Sequence, residues 1–377
     1  MSHGPQTEEL LKRIANLPSW IWSLFKPTVL DVSGLHITSL PELPLHLQEL
    51  DCRDSALITL PESLPNLYIL KCGNTDIIKL PKLPSTLHGL YCDNTPIRSL
   101  PELPSTLKVL YCNDTRLLSL PELPSSLQVL YCYDTYIRSL PELPTGLRKL
   151  GCDNTLITSL PTLPETLEGL NCYSTRISSL PELPPTLYDL RCGDTNITSL
   201  PSLPPVLKYL DCKENTLTSL PRLPETLMIL YCQRVNLKRL PELPIRLNHL
   251  DCKQNPITCL PALPTNLQKL DCNFTQITEL PELPATLLRL NCSNTLITEL
   301  PEFPVTLTRL ECDDCPNLIL QRESNESLTE YRERWSVIWE ERKSKVRCQE
   351  RCKRIKEELS AVFWNPERTI KRRKTCE

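Results

Sequence analysis

Apolar positions recur with a period of 20 residues over most of the chain. From Leu40 the unit reads L-P-x-L-P-x-x-L-x-x-L-x-C-x-x-T-x-I-x-x. Fourteen such units follow one another, their first Pro falling at every twentieth position from 41 to 301. An incomplete unit, Val29 to Leu40, precedes them, and the one irregularity is Pro61-Glu62-Ser63-Leu64-Pro65, where the second Pro slips by one residue. Within Leu110-Tyr111-Cys112 the alternation is that of a short strand, with Leu110 and Cys112 inside and Tyr111 outside. Leu117 and Leu120 follow inside after a turn, and Leu103 and Leu107 come in from the returning side. Pro101 and Pro104 forbid a regular helix on that side and favour an extended, polyproline-like return.

A fixed period of this length is the signature of a solenoid. The expected fold class is a solenoid with a parallel β-sheet along its concave side and extended, polyproline-like segments along its convex side. One turn cannot fold alone. Ordering its backbone costs about 1–2 kcal/mol per residue, and four buried Leu recover only about 1.5–3 kcal/mol each. Stacked neighbours cover both open ends of every turn and close that gap. Fourteen or fifteen strands at about 4.8 Å spacing give an inner surface about 70 Å long.

The pattern stops at both ends. Thr7 with Glu8 and Glu9 reads as a helix start, and Leu10, Leu11, Ile14 and Leu17 form an apolar face before Pro18. Residues 1–27 are therefore expected to be a helical N-terminal cap, with Trp20, Trp22 and Phe25 covering the first turn. Residues 28–320 are the repeats. In 321–377, Ser327-Leu328-Thr329-Glu330 is a capping box, and Leu328, Tyr331, Trp335, Ile338 and Trp339 follow at helical spacing. This C-terminal segment holds 16 basic and 11 acidic residues, whereas the rest of the chain holds 26 and 34. Its basic run, Arg342 to Lys356, leads to Asn365-Pro366 and then to Lys371-Arg372-Arg373-Lys374.

Composition changes this picture in two ways. The chain carries 37 Pro and 19 Cys but a net charge of only -3, which points to no polyanionic partner for the molecule as a whole. The N-terminus lacks a basic patch followed by an apolar run, and no stretch approaches the roughly 18 apolar residues of a membrane span. An odd Cys total without a secretory leader fits free thiols in a reducing compartment, so a cytoplasmic location is expected.

The segment Leu107-x-x-Leu110-x-Cys112-x-x-Thr115-x-Leu117 resembles the leucine-rich-repeat family in its short, 20-residue form. The resemblance covers residues 28–320. Cys stands in for the inner strand Leu. Thr usually stands in for the Asn whose amide ladders between turns; Asn remains at Asn215 and Asn255, while Val235 and Cys315 break the column. The Leu-Pro-Glu-Leu-Pro phrasing is similar to enterobacterial secreted effectors and to repeat proteins of giant DNA viruses of amoebae. That resemblance implies a binding protein with a host protein as partner, in the host cytosol or nucleus. Related effectors include ubiquitin ligases with a catalytic domain bearing a Cys-x-Asp motif. Cys312-Asp313-Asp314 lies inside the last repeat, and the residues after it are too few for such a domain.

Catalytic and metal chemistry find little purchase. The Cys column from Cys52 to Cys312 occupies a strand-core position, where a small apolar residue is wanted. Cys312, Cys315, Cys348 and Cys352 have zinc-like spacing, but the first two belong to the repeat and the others share one helix face, as packing alone explains. His3, His36, His46, His88 and His249 are scattered singly and read as surface residues, so no nucleophile has a base. No enzyme activity, cofactor, metal or small-molecule substrate is expected.

The exposed strand positions are richer. Tyr91, Tyr111 and Tyr131 share one register in successive turns and form a stripe. The candidate partner-binding residues are Tyr91, Asp93, Tyr111, Asn113, Tyr131, Tyr133, Tyr173, Arg191, Tyr209 and Tyr231. Tyr and Arg dominate interface hot spots, although Tyr also suits an exposed parallel strand for its own sake. Carboxylates such as Asp51, Asp211 and Asp251 are interspersed, which disfavours nucleic acid on this face. The expected function is a scaffold binding a protein through the concave face. Two alternatives remain: an adaptor, or nucleic-acid or lipid binder, acting through the basic tail, and the remnant of a ubiquitin-ligase effector without its catalytic domain.

Overall fold

A computed structural model describes residues 28–40, 42–64, 66–323 and 326–363, with side chains described through 357 apart from those at 342, 343, 346 and 348. The expected N-terminal cap and the run Lys371 to Lys374 lie outside the described residues.

Each 20-residue unit contributes one three-residue strand, starting with β1 (Val29–Asp31) and β2 (Glu49–Asp51) and continuing at every twentieth residue to β15 (Arg309–Glu311). All fifteen pair in sequence order as one parallel sheet. The register is in step with the repeat, so that Leu90, Leu110 and Leu130 are neighbours, as are Tyr91, Tyr111 and Tyr131. Register is set by the side chains: a slip of one residue would turn every strand Leu out to solvent and bring its charged neighbours in.

The core is one continuous cylinder. In the turn from 101 to 120, Leu107, Leu110, Cys112 and Leu117 are fully buried, Leu103 is nearly so, and Leu120 is half-buried at its rim. The returning side is extended, as its Pro residues dictate. Its one tight bend is closed by a hydrogen bond from Leu107 N to Pro104 O at 3.0 Å, which recurs at Leu127, Leu147 and onward. A second Thr column ties returning segments together: the Thr106 hydroxyl donates to Ser85 O and Leu87 O, both at 2.8 Å.

After each strand the chain turns through a left-handed residue, for example Asp114 at φ 53° and Asn154 at φ 51°. Asn and Asp tolerate this conformation better than other non-glycine residues. The geometry aims the Asp114 N–H at Tyr133 O, 3.0 Å away in the next turn. The Thr column lies just behind. The Thr115 hydroxyl donates to Cys112 O at 2.7 Å, a bond within its own turn. Asn215 does more, because its amide donates to Cys192 O at 2.9 Å and to Cys212 O at 3.0 Å, joining two turns. Asn255 likewise serves Cys232 O and Cys252 O, and its oxygen accepts from Leu237 N. It thus supplies the bond that Val235 cannot make for its own turn.

At the far end a helix, α1 (Leu328–Phe363), begins on the last turn. Ser327 Oγ accepts from Glu330 N at 3.2 Å, and Glu330 Oε2 accepts from Ser327 N at 2.8 Å. Tyr331 and Trp335 are buried, the former against Phe303. Tyr331 donates its hydroxyl to Leu320 O, and Arg332 and Arg322 bond to Leu307 O and Leu310 O. Beyond Glu340 every described side chain of α1 is exposed. No described helix is long and apolar enough to cross a membrane.

Candidate protein-binding face

The two strand positions flanking the buried Leu project on one face of the sheet, and the residue two places further on extends it. Because the register is exact to the repeat, each position forms a column of side chains about 4.8 Å apart.

The central column is aromatic for three turns. Tyr91 and Tyr111 lie with ring centroids 5.0 Å apart, and Tyr111 and Tyr131 meet edge-on at 4.8 Å. Tyr131 also meets Tyr133 edge-on at 6.3 Å. Beside them run Ile69, Val109 and Val129, with Gly89 letting the Tyr91 ring lie close to the backbone. Tyr68 and His88 stack at 3.9 Å along the next column. The fourth to sixth strands, with Ile69 of the third, therefore form an aromatic and aliphatic patch, bordered at its N-terminal side by the ion cluster of Glu49, Asp51, Arg53 and Lys71. Burial and the neighbouring rings push the Tyr111 hydroxyl up from its ordinary value, and burial with Asp114 and Asp153 does the same for Tyr133. Tyr111 and Tyr133 therefore stay neutral at physiological pH.

The remaining candidate residues spend their contacts on one another. Arg191 donates to both carboxylate oxygens of Asp189 at 3.1 Å, and its guanidinium lies 4.7 Å over the Tyr209 ring. Lys213 Nζ sits 4.9 Å over the Tyr173 ring. Tyr209 pairs with Tyr231 at 5.8 Å, and Tyr231 with His249 at 5.0 Å. Burial, with Asp211 adding to it, pushes the Tyr209 hydroxyl up to about 12.

Several expectations need correction. Asn113 is buried at 4% exposure and donates its amide to Asp114, so it offers little to a partner. Asp51, Asp211 and Asp251 are each only 6% exposed, because Arg53, Lys213 and Lys253 fold over them as ion-pair partners. Asp93 is half-buried, and burial raises its pKa. His88 and His249 are likewise half-buried ring partners, not plain surface residues.

No family model and no curated protein matches the chain. Solved structures do. YopM from Yersinia enterocolitica WA-314 is 34% identical, with a TM-score of 0.69 over 80% of this chain and 72% of that one. A leucine-rich effector protein, YopM from Yersinia pestis, is 32% identical, with a TM-score of 0.74 over 84% of this chain and 92% of that one. The chain belongs to the leucine-rich-repeat family. The functional domain of InlJ from Listeria monocytogenes, which includes a cysteine ladder, is 26% identical, with a TM-score of 0.61 over 72% of this chain and 69% of that one.

This leucine-rich-repeat chain has a cysteine column of its own, and its environment is apolar. Cys72, Cys92, Cys112 and their successors are fully buried. Burial drives their thiols well above the ordinary value, Cys132 and Cys172 to about 12. A thiolate is the nucleophile and the metal ligand, so such thiols are poor at both tasks. Several donate weakly to the next turn instead, as Cys92 does to Tyr111 O at 3.4 Å. Cys312 and Cys315 are buried in the last turn, where Cys315 donates to Cys292 O. Among the described residues no group of three or more His, Cys, Asp or Glu is placed to hold a metal ion.

What the sequence pattern concealed is a gap in the face. Gly151 follows Tyr131 in its column, and Gly169 follows Lys149 in the adjacent one. A cavity of about 220 Å³ opens there, walled by Tyr131, Lys149, Asn171, Tyr188, Asp189 and Arg191. The signal was present in Gly151 and Gly169, two of the three Gly at strand positions.

Proposed function

We propose that the protein is a binding scaffold that recognises another protein through its strand face, the concave side expected of the fold, with Tyr91, Tyr111, Tyr131 and Tyr133 at the centre of contact. The observation that supports this most directly is the zoning of that face. From the fourth to the sixth strand it is aromatic and aliphatic, and on both sides of that patch it is a self-paired network of ions and rings. Large, rigid side chains held at fixed spacing bury much area while losing little entropy on binding. The polar network contributes specificity more than affinity, since exposed ion pairs are worth about 0–1 kcal/mol each. Relatives named as effectors support a host protein as the partner. No step of this function requires catalysis, a cofactor or a metal.

The test is capture of protein from a eukaryotic lysate by the intact chain and by Tyr111→Ala/Tyr131→Ala. Two hot-spot tyrosines are worth about 1–2 kcal/mol each, so the double variant should lose its partner at dilute concentrations. A second reading rests on α1, whose exposed stretch carries Arg347, Arg351 and Arg354. If binding survives the Tyr pair and is lost when these three become Glu, the helix carries the function and the strand face is a spacer.

A further inference from the structure

The cavity at Gly169 lies beside the aromatic patch, and three features distinguish it from a simple missing side chain. First, it is kept open. A Cβ at Gly151 would lie 2.5 Å from Tyr131 Cδ1, so the Tyr131 ring already occupies that space. A Cβ at Gly169 would meet nothing within 4 Å, so the second gap is left empty. Second, its polar walls are already engaged. Asp189 is held by Nε and Nη2 of Arg191, and Arg191 rests on Tyr209. Asn171 gives its amide to Asp153 at 2.8 Å and accepts from Tyr173 N at 3.2 Å. Third, one charge is left over. Lys149 lines the cavity, is exposed, and has no ion-pair partner among the described residues.

We infer that this cavity is the anchor socket of the strand-face interface and takes an acidic side chain, a Glu or Asp of the partner protein. The inference rests on the strand-face reading given above and assigns it a partner chemistry. The incoming carboxylate pairs with Lys149. Its methylene groups lie along the Tyr131 ring and the Gly169 backbone, where a Glu has the longer apolar stem. A carboxylate is favoured over an ammonium because the cavity's one anion, Asp189, is already neutralised by Arg191, which leaves Lys149 as the net charge. Anchors of this kind, a single side chain in a preformed pocket next to an aromatic cluster, are where interface energy concentrates.

The socket is testable without the partner. The probe is N-acetyl-glutamate N-methylamide, titrated into the intact chain, with the amide resonances of Gly151 and Gly169 followed by NMR. The neutral glutamine analogue and the capped lysine serve as comparisons. The expected result is a saturable shift at Gly169 in the millimolar range, about fivefold weaker for the glutamine analogue and absent for the lysine. Lys149→Met should weaken it about fivefold and erase the preference for glutamate over glutamine. Gly169→Val should abolish it, read at Gly151; a Cβ at 169 has nothing within 4 Å, and thermal unfolding of the variant checks that the fold is retained. Equal response to glutamate and glutamine, indifference to Lys149→Met, or no saturation overturns the socket. The two readings fail differently: no response to capped glutamate while Tyr111→Ala, outside the cavity lining, still loses the partner removes the socket alone, whereas capture that survives Tyr111→Ala/Tyr131→Ala removes the strand-face reading and with it the socket's role as an anchor.

Discussion

At the scale of single residues, position within the repeat decides what each side chain can do. Thr and Asn at the same position differ in reach: Thr115 bonds within its turn, whereas Asn255 bonds Cys232 O and Cys252 O and also accepts from Leu237 N. Asn255→Ala should therefore cost about 2–3 kcal/mol in urea unfolding, and Thr275→Ala about 1 kcal/mol, since only the former strands buried groups in two turns. Asp153 offers a second check. Burial, with Asp134 and Asp114 nearby, pushes its carboxyl up to about 6 from an ordinary 3.8. Between those values the folded chain keeps a proton that the unfolded chain releases, so ionisation of Asp153 destabilises the fold as pH rises through about 6. Asp153→Asn should be more stable than the parent by about 1–2 kcal/mol at pH 8, after allowance for solvent screening, and equal to it by pH 4. Thermal unfolding at both pH values decides the point. Which strand residues lie inside was legible in the sequence, because period-two alternation leaves Leu110 and Cys112 no other side to occupy. Which outward residues stay accessible was not. Asp211 and Asn113 look exposed by alternation, yet an ion-pair partner covers one, and the other is buried with its amide on Asp114.

At the scale of elements, the strands are too short to persist alone, and each is held by its two neighbours. The last turn has a neighbour on one side only, and α1 covers the other with Tyr331 and Trp335. Trp335→Ala should open a cavity there and cost about 3–5 kcal/mol, first in the terminal turns, since a repeat array unfolds from its least supported end. Hydrogen exchange would show lost protection around Leu307 and Leu310 while the turns near Leu110 stay unchanged; uniform loss would contradict the picture. The helix start was readable from Ser327 and Glu330, which cap one another as the spacing implies. The packing of Arg332 and Arg322 onto strand-end carbonyls was not readable, because it depends on how the helix axis meets the last turn.

For the whole molecule, the fold is a column in which like residues stack on like. The cysteine column follows that rule, and its thiols should be silent toward Ellman's reagent in the native state, while the exposed Cys259 and Cys352 react. Full labelling should appear only on unfolding, and early labelling of a column thiol would show that turns open locally. The overall architecture was the most legible level, because a 20-residue period admits one solution. The socket at Gly169 was the least legible: a glycine reads the same whether a neighbouring ring fills its space, as at Gly151, or nothing does.

The in-step register has an evolutionary consequence. Any two points 20 residues apart are interchangeable joints, so unequal recombination between turns can delete or duplicate a whole turn without disturbing a hydrogen bond elsewhere. Duplicating residues 147–166, between the two, would move everything downstream by one rung, about 4.8 Å, and leave each rung intact. Distance between the tyrosine patch and the ionic network downstream of it is thus a quantity that the gene can adjust in fixed increments, like a ruler cut to length, while an insertion of any other size would break the column.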